Sequence, residues 1–157
     1  SQTNPIITMK KGIFTGSFDP FTIGHLDIVK RALPLFDELT ICIGFNELKH
    51  YDEPVEERME KIRKVMQNEP KVKVDSWSGL TVDYCTRHDI HYIIKGVRSV
   101  KDFEYERDQA EMNRHLSGVE TLFLFSDPRY SAVSSSLVKL LKSYGRDVSE
   151  FLPPATD

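Results

Sequence analysis

The sequence has only two cysteines in 157 residues. Cys42 sits in the apolar run LTICIGF and Cys85 lies within a helix-like segment, with no CxxC anywhere. That excludes a disulfide scaffold and reads both thiols as reduced packing residues of a cytosolic protein. Long hydrophobic runs are also missing: none approaches the roughly 20 residues a membrane helix needs, so no membrane partner is expected. No basic-then-apolar leader opens the chain, which points to a cytoplasmic rather than a secreted protein. Positive charge is in short supply, at a net −3. Without a global basic field nucleic acid is not expected as a partner, and any anion site must be local. The Walker A, GxGxxG, HExxH and GxSxG patterns are absent. No Asp, Glu, His or Cys spacing fits a structural metal site, so no protein-held metal is expected.

What is present is an ordinary globular balance, 39% hydrophobic and 29% charged, in a length suited to one domain. Residues 1–9 fit no element and read as a tail or cloning remnant, with Met9 as the natural start. Residues 10–157 read as one domain without repeats or linkers. Strand patterns fall at 11–15, 39–45, 72–77, 91–94 and 120–125, the second being apolar enough for burial on both faces. Helical spacing falls at 25–36, from Pro54 through Met66, at 80–88, 102–116 and 134–144. Phe103, Ala110 and Met112 are the packing candidates of the fourth helix. Leu137, Leu140, Leu141 and Tyr144 are those of the last. Five strands alternating with helices predict a Rossmann-like, doubly wound parallel sheet with helices on both faces.

Such sheets bind ligands beyond the carboxyl ends of their strands, so the residues there carry the functional reading. In GIFTGSFDPFTIGH, Gly16 lets the backbone approach a ligand and Ser17 presents a hydroxyl. Gly24 and His25 open a helix, where free N–H groups attract phosphate. The alternative is that Ser17 and Thr22 merely cap and His25 merely packs. Lys49 follows the second strand and could equally be a solvated lysine. In IIKGVRS, Lys95 and Arg98 flank Gly96 and could reach one anion, or form a solvated loop. The helix beyond carries Asp102, Glu104, Glu106 and Asp108. In YSAVSSSLVK three serines open a helix; capping explains one, and the others make a second phosphate cradle.

Taken together these residues resemble a known family. GSFDPFTIGH is similar to the (T/H)xGH signature of the nucleotidyltransferase superfamily, as Thr22-Ile23-Gly24-His25. VSSSLVK resembles its second signature, ISSTxxR/K. KGVRSVKDFEYE and EMNRHL resemble the bacterial phosphopantetheine adenylyltransferases, over about Lys10 to Pro153. The resemblance implies transfer of the adenylyl group of ATP, with Mg²⁺, to 4′-phosphopantetheine, giving dephospho-coenzyme A and pyrophosphate. It implies His25 as transition-state stabiliser, acting with Lys49 and Arg98. It places ATP on Ser17, Phe18, His25, Gly96, Val97, Arg98, Glu106 and the loop Tyr130, Ser131, Ala132, Val133, Ser134, Ser135 and Ser136. It places the acceptor on Ser17, Lys49, Leu80, Thr81, Lys95 and Asn113. A homohexamer and coenzyme A as a feedback ligand are implied as well.

The chain departs from the family pattern at four places. Lys95 stands for the usual Arg and loses its bidentate fork. Residues 46–53, NELKHYDE, lack the familiar proline and lysine. Thr81 and Tyr130 replace an apolar residue and a frequent Trp. A nucleotidyltransferase for a nicotinamide or glycerol nucleotide, and a regulatory module that binds nucleotide without catalysis, are the rival readings.

Overall fold

A computed structural model describes residues 9–154, so residues 1–8 of the expected 1–9 tail lie outside the described residues. The order is β1 (Lys11–Gly16), α1 (Ile23–Ala32), β2 (Glu38–Gly44), α2 (Val55–Val65), β3 (Val72–Trp77), α3 (Thr81–His88), β4 (Tyr92–Val97), α4 (Val100–Ser117), β5 (Glu120–Phe125) and α5 (Ser135–Ser143). All pairings are parallel and the strand order is β3-β2-β1-β4-β5. The order reverses between β1 and β4, the switch point at which open sheets bind ligands.

Alternation along the strands divides the core. Phe14, Leu39, Ile41, Ile43 and Ile94 face α1 and α2, joining Leu26, Val29, Met59 and Ile62. Ile13, Cys42 and Ile93 face the opposite way, onto Val82, Tyr84 and Cys85 of α3. Leu39, Ile41 and Ile43 are fully buried, each stabilising by about 1.5–3 kcal/mol relative to exposure. The two free cysteines are buried as well. Burial first of all pushes the thiol of Cys42 up to about 12 and that of Cys85 up to about 11, so both stay protonated and unreactive.

Several elements differ from the sequence pattern. The first helix stops at Ala32 and tightens into a 3-10 turn, Leu33–Leu35, because Pro34 supplies no N–H to continue it. Pro54 is the N-cap of α2, not its first residue. The fourth strand runs on to Val97, so Lys95 and Gly96 lie within it rather than after it. α4 buries none of its residues: Phe103 and Met112 are exposed and Ala110 is half-buried. On α5 the buried residue is Val138, while Leu140 and Tyr144 are exposed. Helical spacing locates an apolar stripe but not whether the same chain covers it. Among the described residues no helix is long and apolar enough to cross a membrane.

A candidate active site at the split between beta1 and beta4

The loop from β1 into α1 is held in one conformation. Phe18 has φ 45°, a left-handed backbone that non-glycine residues rarely adopt without support from their surroundings. The support is non-local. Asp19, almost fully buried, pairs with Nζ of Lys139 at 2.9 Å and accepts the N–H of Asp52 at 2.9 Å. Burial would raise the Asp19 carboxyl; the Lys139 and Asp52 bonds and the charges of Lys139 and Arg58 outweigh it and lower it. The buried guanidinium of Arg58 donates to the carbonyls of Ser17 and Glu53. The hydroxyl of Ser135 donates to the carbonyl of Pro20 at 2.7 Å. Two segments far apart in sequence, GSFDPFTIGH and VSSSLVK, are thereby clamped together.

His25 is oriented by the helix start. Thr22 is the N-cap of α1, and its Oγ1 accepts the N–H of His25 at 3.3 Å. In return the N–H of Thr22 donates to Nδ1 of His25 at 2.9 Å. This is a capping box with histidine in the place usually taken by Glu or Gln. Because Nδ1 accepts, the neutral ring carries its proton on Nε2. The half-buried ring packs against Phe14, Phe18 and Phe21, with centroids 5.0 Å from Phe18 and 5.5 Å from Phe21. Burial, then the positive charge of Arg98, pushes its pKa down to about 4. His25 is therefore a neutral Nε2–H donor near pH 7. Capping and ligand binding, alternatives on sequence alone, are compatible because they use different nitrogens.

Two clefts meet beside this histidine. The first, about 290 Å³, is lined by His25, Lys95, Gly96, Arg98, Glu106, Tyr130, Val133 and Ser134 to Ser136, together with Thr15, Gly24, Ile28 and Ser126. The second, about 320 Å³, is lined by Leu80, Thr81, Lys95 and Asn113, with Thr15, Val82, Ile93, Gln109, Met112 and Leu116. Nζ of Lys95 lies 3.5 Å from Oε2 of Glu106, an oxygen that is buried yet without a hydrogen bond. Arg98 folds onto Asp102 at 3.3 Å. A third hollow, about 330 Å³, lies behind the loop between α2, α5 and residues 148–154. Of the cations lining it, Lys139 and Lys61 are paired with Asp19 and Glu53, and Arg58 is taken up by the carbonyls of Ser17 and Glu53; His25 does not line it.

The sequence-predicted residues divide accordingly. The first cleft gathers most of those expected at ATP, and the second gathers Leu80, Thr81, Lys95 and Asn113, expected at the acceptor. Ser17, Phe18, Lys49, Val97, Ser131 and Ala132 line neither cleft. The side chains of Phe18 and Val97 are buried, which leaves only their backbone to meet a ligand. Lys49 stands exposed on the 46–53 loop, 5.7 Å from the ring of Tyr51. Gly16 has a different reason than ligand approach: a Cβ there would lie 2.9 Å from the ring of Phe18. Gly96 both lines the cleft and admits Ile28, which a Cβ would approach to 3.2 Å. Of the three serines, Ser134 caps α5 and Ser135 ties down Pro20, leaving the Ser136 hydroxyl for a ligand. Sequence reading missed Thr15, Arg58 and Lys139. Only Lys139 carried a signal, as the last residue of VSSSLVK.

Residues 13–140 match the cytidylyltransferase-like family model. The chain is 52% identical over 147 residues to the phosphopantetheine adenylyltransferase of Porphyromonas gingivalis, covering 92% of this chain and 96% of that one. It is 48% identical over 145 residues to that of Bacteroides fragilis, covering 92% and 97%. It is 48% identical over 148 residues to that of Corynebacterium diphtheriae, covering 94% and 93%. Among solved structures, a bifunctional NMN adenylyltransferase/ADP ribose pyrophosphatase from Francisella tularensis superposes with a TM-score of 0.73 at 13% identity, over 95% of this chain and 46% of that one. That likeness speaks to the fold alone. With the signature residues gathered at the switch point and relatives of this identity spanning nearly the whole chain, the chain belongs to the phosphopantetheine adenylyltransferase family of nucleotidyltransferases.

Proposed function

We propose that the protein transfers the adenylyl group of ATP to 4′-phosphopantetheine, giving dephospho-coenzyme A and pyrophosphate. The observation that carries this reading is the meeting of the two clefts at the β1–β4 split. One has helix N-termini, Arg98 and a fixed imidazole donor. The other has the apolar Leu80, Met112 and Leu116 beside Asn113, suited to an amide-bearing arm.

The acceptor phosphate is largely dianionic near pH 7, since the second pKa of a phosphate monoester is about 6. It needs no protein base, and its oxygen attacks the α-phosphorus in line. The new P–O bond forms as the bond to the pyrophosphate oxygen breaks. What the protein supplies is position and cancellation of charge. Nε2–H of His25 donates to the α-phosphate as negative charge gathers there. Arg98, the α5 N-terminus and Ser136 hold the β- and γ-phosphates. Lys95 leaves Glu106 for the acceptor phosphate. Lys49, outside both clefts, would need the 46–53 loop to move inward, and no step is routed through it.

Mg²⁺ would arrive with the nucleotide, ligated by phosphate oxygens and water, and would neutralise charge on the triphosphate. Among the described residues no group of three His, Cys, Asp or Glu side chains gathers. Coenzyme A, which contains both halves of the product, is proposed to occupy the same two clefts as a feedback ligand. A homohexamer would cover the part of α4 outside the acceptor cleft, where Val100, Phe103 and Tyr105 are exposed. A monomeric mass in solution would remove that part of the proposal. A cytoplasmic location accords with the reduced, buried cysteines.

The test is pyrophosphate release with Mg-ATP, offering 4′-phosphopantetheine, nicotinamide mononucleotide or glycerol 3-phosphate in separate reactions. Release with 4′-phosphopantetheine alone is expected. Release with another acceptor would move the assignment within the nucleotidyltransferases, and ATP binding with no release would make the chain a regulatory nucleotide binder.

A further inference from the structure

The β1–β4 ladder pairs Gly12 with Tyr92, Ile13 with Ile93 and Phe14 with Ile94, and ends there. The next position on each strand is Thr15 and Lys95. The two strands part at this point, and Thr15 and Lys95 are the residues that line both clefts. Side chains alternate across a strand, and Ile13 and Ile93 face the α3 side. Thr15 and Lys95 therefore face the same side, which holds the cleft of Leu80, Thr81 and Asn113. Thr15 is half-buried, and its hydroxyl has no hydrogen-bond partner among the described residues. A hydroxyl at a strand end, beside a lysine and open to two clefts, has the chemistry and the place to meet a phosphate.

We infer that Thr15 is a substrate-contacting residue: its hydroxyl donates a hydrogen bond to the attacking phosphate of the acceptor, beside Lys95. The inference rests on the proposed reaction and deepens it. An adenylate in one cleft and a pantetheine arm in the other can be joined only where the clefts meet. Lys95 supplies charge there without the fixed fork of an arginine. Thr15 supplies the directional contact that sets which phosphate oxygen faces the α-phosphorus. On sequence alone Thr15 carries no signal, since it reads as the last residue of the first strand.

The experiment compares wild type, Thr15→Val, which keeps the shape and removes the hydroxyl, and Thr15→Ser, which restores it. Steady-state kinetics are read by pyrophosphate release. Calorimetry measures affinity for ATP, for 4′-phosphopantetheine and for pantetheine, which lacks the phosphate. A hydrogen bond to a charged group is worth about 1.5–3 kcal/mol, hence roughly 10- to 100-fold. Thr15→Val is expected to lose that much kcat/KM for 4′-phosphopantetheine and to bind it more weakly. Affinities for pantetheine and ATP should stay within about twofold, and Thr15→Ser should recover most of the loss. A merely structural role would lower all three affinities together, and that result overturns the inference. So does a Thr15→Val enzyme with wild-type kinetics. A wild-type protein that releases no pyrophosphate with 4′-phosphopantetheine overturns the reaction itself, an outcome distinct from the failure of Thr15 alone.

Discussion

The protonation of His25 yields a prediction that separates the protein from its substrate. Burial and the nearby Arg98 charge place its pKa at about 4, against 6.5 for an unperturbed imidazole. At pH 6 the folded ring would then be roughly 1% protonated, where an ordinary histidine would be about three-quarters protonated. The acceptor phosphate, with its second pKa of about 6, loses its second charge well before His25 gains a proton. The acid limb of kcat/KM for the acceptor should therefore bend near pH 6. kcat/KM for ATP, measured with saturating acceptor, should report no ionisation of His25 in the acceptor complex down to about pH 5. The same displacement bears on stability. The unfolded chain takes up a proton as pH falls through 6.5, and the folded chain does so only near 4. Stability is thus fully present above about pH 6.5 and is lost progressively between 6.5 and 4, by up to about 3 kcal/mol for this group. The assay is the pH dependence of the ring C–H shifts of His25, assigned by comparison with a His25→Gln protein. A titration midpoint near 6.5 would refute the burial argument.

Two further predictions follow from the same geometry. His25→Ala is expected to lower turnover by about 10²- to 10³-fold while calorimetric ATP affinity stays within a few fold; near-normal turnover would remove the donor role. Lys139→Met strands the buried Asp19 carboxylate and should cost about 3 kcal/mol, seen as a fall in melting temperature of roughly 6–12 °C; an unchanged melting temperature would show that Asp52 and Arg58 suffice.

How much was legible depended on the range of the contacts involved. β3 and β5 lie at the residues their patterns indicated, although both are edge strands without a fully buried residue, because a short run rich in β-branched or aromatic residues is a local signal. His25 and the serine run were found as local helix-start signals. The clamp was not, since Ser135 meets Pro20 across 115 residues and Arg58 meets Ser17 across 41. No spacing rule reaches that far. Phe18 was legible as part of a signature but not as a buried ring behind His25. Lys49 carried a positive charge after a strand, and only the fold shows that its loop holds it away from both clefts. The stripe on α4 has helical spacing and yet faces outward, because periodicity records an apolar face without recording which molecule covers it.

The tie between the first loop and α5 also bears on when the protein becomes competent as it is made. The sheet needs only residues up to Phe125, the end of β5. The anchors of the β1–α1 loop, Ser135 and Lys139, come later still. A nascent chain can therefore pair every strand before its phosphate-binding loop is fixed, and closing a contact across most of the chain is among the slowest steps of folding. Nucleotide affinity should therefore arise last, after the framework.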